Sequence, residues 1–237
     1  MTGWARKRFW AETSVVEVSG GFEVRLDDRP IRTPAKAELV LPTRALADRV
    51  AAEWEAQDAE LNPNQMPATR MANSAIDKVV PQRAAIEEHL AGYGETDLLC
   101  YRADGPAALV TRQADLWDPL LAWAEEQFAA RLLVTSGIIP QAQDPAVIAA
   151  LAAPMAEYNV FELAGFHDLV TLPGSLILGL AAASNERPAH ELWDISRLDE
   201  LWQIEQWGDD EEAENNNKLK VQAFLDAHRF FSAASEQ

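Results

Sequence analysis

The chain predicts an α+β fold, with a small N-terminal antiparallel β-rich domain followed by a larger, mainly α-helical domain. Between Ser14 and Pro42 the runs SVVEV, FEVRL and ELVLP are short and β-rich, and they are parted by Gly20-Gly21 and by Asp27-Asp28-Arg29-Pro30, which are turn sequences. From Thr43 onward the apolar spacing lengthens to the helical period. The composition, 237 residues with 48% hydrophobic and 24% charged, is that of a globular protein able to bury a core.

Thr43 is a plausible N-cap, and Leu46, Val50 and Trp54 follow it four residues apart on one face. The loop LNPNQMPATR, with two prolines, ends that helix. The boundary is placed so that residues 1–60 form the β-rich domain with its following helix and 61–237 the helical domain. Helices are expected at about 71–80, 82–91, 107–130, 145–158, 161–172, 175–183 and 188–207, with a closing helix over 217–235. Trp117 is read as opening a helical turn in which Pro119 is tolerated, and LLVTSGII as one isolated strand. The apolar stretch LVTLPGSLILGLAAA is interrupted by Pro173 and Gly174 and reads as a buried helix, not as a membrane span.

A formal net charge of −18 argues against nucleic acid and against anionic membrane surfaces, both of which would repel the molecule. The single cysteine, Cys100, excludes an internal disulfide framework and a multi-cysteine metal site and reads as a buried apolar thiol. No secretion signal is visible at the N-terminus.

Catalytic motifs of real specificity are absent: the sequence has no glycine-rich phosphate loop, dinucleotide turn, zinc helix or nucleophile elbow. The four histidines, His89, His167, His190 and His228, are scattered, and no metal or cofactor is expected. His167 and Asp168 are adjacent, and neighbours on a helix point different ways, so they are a weak dyad. The one carboxylate grouping that suits an enzyme is Asp199, Glu200 and Glu205 with His190, which fixes no substrate.

The stretch SRLDELWQIEQWGDDEEAE, residues 196–214, is the most informative. Wound at about 100° per residue, Ile195, Leu198, Leu201 and Trp202 share one flank and Glu205 falls between Leu198 and Leu201. Trp207 points away from Trp202, and Gly208 follows as a helix-ending residue. An unpaired Glu205 in an apolar stripe is costly, so it should reach water at a groove edge or pair with a cation such as Arg197 or one from a distant segment. The acidic run from Asp209 to Glu214 reads as a solvated face. Aromatic surface beside charge suits a partner surface, for which Arg197, Asp199, Glu200, Trp202, Glu205 and Trp207 are the candidates.

The blocks LDDRPIRTP, EWEAQ, DLLCYR, WDPLLAWA and RLDELWQIEQWG, in this order along nearly the whole chain, resemble the F-type ATP synthase assembly chaperone family that binds the free alpha subunit. The resemblance implies a β-rich domain followed by a helical one, no catalysis, and a monomer that holds the alpha subunit until beta subunits replace it. It also implies a bacterial cytoplasmic protein, or one of the mitochondrial matrix if the chain is a processed form.

Overall fold

The computed structural model describes residues 7–136, 141–208 and 211–235, without the Glu211 side chain. The expected α+β architecture is present. An antiparallel sheet joins β1 (Thr13–Val18), β2 (Gly21–Leu26), β3 (Arg29–Pro30) and β4 (Val40–Leu41). β1 pairs along one side of β2, from Thr13 opposite Leu26 to Val18 opposite Gly21. β3 and β4 share its other side, with Arg25 opposite Pro30 and Phe22 opposite Leu41. The β1–β2 turn is Ser19-Gly20, one residue before the expected Gly20-Gly21, and both glycines are required: Gly20 has φ +92°, and a Cβ on Gly21, the first residue of β2, would lie 2.1 Å from the Leu41 carbonyl oxygen.

Packing groups the chain into two compact units. The first comprises residues 1–83, 158–165 and 229–237; the second comprises 84–157 and 166–228. Residues 61–83, 158–165 and 229–237 thus pack with the segment expected to form the N-terminal domain.

In the first unit, α1 (Arg44–Glu55) starts where expected: the Thr43 hydroxyl accepts from the Leu46 N–H, and Leu46, Ala47 and Val50 are fully buried. The Thr43 hydroxyl also donates to the Ala233 carbonyl near the end of the chain. α2 (Pro67–Ser74) has no cap of its own. Glu53 of α1 supplies one, accepting from the Ala68 and Thr69 N–H groups at 2.6 and 2.7 Å and from the Thr69 hydroxyl at 2.7 Å. α3 (Val80–Glu95) has non-helical backbone at Gln82, directly after Pro81, where the sequence predicts a break.

The second unit is built around α7 (Leu176–Ala183), which is buried at every position from Leu176 to Ala182. Among the described residues no helix is long and apolar enough to cross a membrane. Asp97 is fully buried below the start of this helix. It accepts the Ser175 hydroxyl at 2.8 Å and the Ile177 N–H at 3.1 Å, and it also caps the 3-10 turn Leu98–Cys100 through the Leu99 N–H. Cys100 is buried as expected, and desolvation pushes its thiol up to about 12.

Several expectations are corrected. α4 (Ala107–Phe128) is one helix in which Pro119 is interior, so Trp117 opens no helical turn and Pro119 has no N–H to offer the Asp115 carbonyl. The segment LLVTSGII does not hold an isolated strand among its described residues, because β6 (Thr135–Ser136) pairs in parallel with β5 (Tyr101–Arg102); its last three residues lie outside the described ones. α5 (Pro145–Ala152) is shorter than expected and passes into a 3-10 turn at Ala153–Glu157, after which α6 spans Val160–Thr171. The single helix expected over 188–207 is two, α8 (Ala189–Ser196) and α9 (Leu198–Trp207), parted at Arg197 with φ −101° and ψ 14°. α10 (Glu211–Ser235) begins six residues before the closing helix expected over 217–235.

Candidate functional site

Within the second unit, α4, α8 and α9 enclose a groove of about 530 Å³. Each contributes a stripe at helical spacing: Arg112, Asp115 and Leu116 from α4; Glu191, Asp194 and Ile195 from α8; Leu198, Leu201 and Glu205 from α9; Arg187 closes the lining. Two polar ties hold these walls. The Trp117 indole N–H donates to the Ile195 carbonyl at 3.0 Å and joins α4 to α8. Gln113, itself buried, accepts the Ala103 N–H at 2.9 Å and donates to the Asp199 carboxylate at 2.7 Å, which joins α4 to α9.

The expectation for Glu205 holds in form. It lies in the groove lining with Leu198 and Leu201, and it meets a cation from a distant segment: Arg112 donates to it at 2.8 Å from 93 residues away. The same guanidinium sits 4.9 Å above the Trp202 ring. The hydrogen bond from Arg112 holds the Glu205 carboxyl below its ordinary range and pushes the guanidinium higher. Arg197, the nearer candidate cation, pairs instead with Glu200 at 2.8 Å, three residues on and so one turn away at the start of α9.

Of the six candidate residues, Glu205 alone lines the groove. Arg197, Asp199 and Glu200 are half-buried and engaged beside it, Trp202 is half-buried beneath Arg112, and Trp207 is 79% exposed next to Gly208. Gly208 ends α9 as expected, with φ +89° and its N–H on the Ile204 carbonyl. Asp209 and Asp210 of the acidic run lie outside the described residues, whereas Glu212 and Glu214 are exposed. The lining residues Arg112, Asp115, Leu116, Arg187, Glu191 and Asp194 were not among the candidates. Their helical spacing was visible, but nothing local joins α4 to α8 and α9.

The carboxylates Asp199, Glu200 and Glu205 do not form one cluster. They leave α9 in directions more than about 100° apart and take three different partners, Gln113, Arg197 and Arg112. Among the described residues no group of three or more metal-ligating side chains converges. The reading of His167 and Asp168 as diverging neighbours is corrected: Nδ1 of His167 lies 2.9 Å from Oδ1 of Asp168, and the His89 ring stacks on His167 at 6.4 Å.

The model of the family described as ATP12 chaperone protein matches residues 7–125. The crystal structure of Atp12 from Paracoccus denitrificans is 50% identical and superposes with a TM-score of 0.93 over 96% of this chain and 98% of that one. The chain belongs to the ATP12 chaperone family. A chaperone-assigned protein from Agrobacterium tumefaciens is 41% identical, with a TM-score of 0.93 over 96% of this chain and 85% of that one. Mitochondrial Atp12 of Schizosaccharomyces pombe is 23% identical, over 92% of this chain and 81% of its own length. ATP12 proteins are ATP synthase assembly chaperones, and this chain is one of them.

Proposed function

We propose that this chaperone binds the unassembled alpha subunit of the F-type ATP synthase and keeps it competent to assemble with beta subunits, acting by binding and without catalysis. The observation that carries this reading is the groove between α4, α8 and α9, which has an apolar floor, a carboxylate rim and the exposed Trp207 at the end of one wall. A protein that must cover a sticky surface for a time needs apolar area ringed by charge, so that it holds the client without joining copies of itself. The free protein is then a monomer. The residues proposed to contact the client are Arg197, Asp199, Glu200, Trp202, Glu205 and Trp207, together with the groove lining.

An enzyme built on Asp199, Glu200, Glu205 and His190 has no geometry in its favour, since the three carboxylates are separately engaged. The site of action is the bacterial cytoplasm, or the mitochondrial matrix for a processed form; relatives come from both sources.

The test is capture of purified alpha subunit, with beta subunit as the control. The parent should retain alpha and not beta. The variant Glu200→Lys/Glu205→Lys should lose capture while its unfolding midpoint stays close to the parent's. Unchanged capture removes α9 from the binding site, and equal retention of beta removes the specificity.

A further inference from the structure

The groove already holds one ligand-like group of its own. The Arg112 guanidinium reaches from α4 to Glu205 on α9 and covers Trp202 on the way. Both partners of this ion pair keep contact with water, at 39% and 49% side-chain exposure. The rest of the lining is unbalanced: Asp115, Glu191 and Asp194 stand with Glu205 against Arg112 and Arg187. Among the described residues, Asp115, Glu191, Asp194 and Arg187 have no side-chain hydrogen bond or ion pair. Leu116, Ile195, Leu198 and Leu201 form the apolar floor between them.

We infer that Arg112 is a built-in stand-in for an arginine of the client: the groove takes a segment in which a guanidinium is flanked by aliphatic side chains, and that guanidinium displaces Arg112 from Glu205. This rests on the groove being the client site. The bound guanidinium identifies the chemistry, because a carboxylate beside an aromatic face suits a planar, forked cation better than a compact ammonium. Charge complementarity points the same way, with four carboxylates facing two cations around the groove. Release of Arg112 is inexpensive. An ion pair this exposed is worth at most about a fivefold change in an equilibrium constant, and Asp115, one turn further along α4, is within reach of the freed guanidinium. Arg112 thus keeps Glu205 paired in the free protein and gives way when a better-supported guanidinium arrives with its own apolar flanks.

The test uses the full chain, labelled helical peptides carrying one arginine among leucines at varied spacing, a twin of each with citrulline in place of arginine, and purified alpha subunit. Citrulline keeps the shape and removes the charge. At least one arginine peptide should bind about tenfold tighter than its twin. Arg112→Gln should tighten that peptide, and the alpha subunit, by about two- to fivefold, and Glu205→Gln should bring the arginine peptide down to the level of its twin. Thermal midpoints of both variants are measured alongside. The inference is overturned if no arginine peptide outbinds its twin, or if a folded Arg112→Gln protein binds the peptide no more tightly than the parent. Arginine-dependent peptide binding without capture of alpha subunit leaves the stand-in role intact and overturns only the client assignment.

Discussion

The Ser175 hydroxyl donates to the Asp97 carboxylate at 2.8 Å inside the second unit, so that a fully buried acid closes the start of the most buried helix. Burial pushes that carboxyl up to about 6 from 3.8, against the pull of the Ile177, Ser175 and Leu99 donors.

A pH dependence follows from it. The folded-state value lies above the unfolded one, so the contribution of Asp97 to stability is full below about pH 3.8, declines as pH rises to about 6, and is level beyond. Asp97→Asn should be less stable than the parent at pH 5 by about 1–3 kcal/mol, because its amide N–H₂ faces donors. The gap should narrow by about 1 kcal/mol between pH 5 and 7, since the parent alone titrates. Urea unfolding of both proteins across that range checks it, and a constant gap would mean that the donors keep the carboxylate ionised throughout.

Gln113→Leu should cost about 1–3 kcal/mol, because it strands the Ala103 N–H and removes the donor to Asp199 in one substitution. Gln113→Glu should be worse, since it sets a second carboxylate against Asp199 in a buried position. Denaturant midpoints rank the two.

Glu53→Gln keeps one acceptor oxygen where three donors of α2 converge, and should cost about 1–2 kcal/mol. Glu53→Ala should cost more. Amide exchange in residues 67–74, measured beside the global unfolding midpoint, separates fraying of α2 from general destabilisation.

Removing the residues after His228 should open the first unit. It takes away the buried Phe230, Phe231, Ala233 and Ala234 and the acceptor of the Thr43 hydroxyl. Each buried phenylalanine is worth about 2–3 kcal/mol. Limited proteolysis should then cut within residues 13–41, and the intact chain should resist under the same conditions.

What was legible in the sequence was local. Thr43 capping α1, the break after Pro81, Gly208 ending α9 and the two-residue turn at Gly20 each follow from a residue type at one position. What was missed depends on distant groups or on the absence of a pattern. The partner of Glu205 sits 93 residues away, and nothing local marks Arg112, the one arginine of α4, as its cation rather than as an ordinary surface residue. The first turns of α10 are exposed on nearly every side from Glu212 to Asn216, so no apolar stripe announces them. The split at Arg197 has no proline or glycine to mark it; the Asp194 carbonyl simply receives the Arg197 N–H.

The bond from Thr43 to Ala233 joins positions 190 residues apart. On a ribosome, the hairpin and α1 emerge early, yet the phenylalanines that complete their core emerge after nearly all the rest of the chain. At about 5–20 residues per second, that interval is about 10–40 s. Through it, α1 can pack on β1 and β2, but the first unit still lacks Phe230, Phe231, Ala233 and Ala234, which are buried in the finished protein, so a chaperone of assembly is itself exposed to aggregation during its own synthesis.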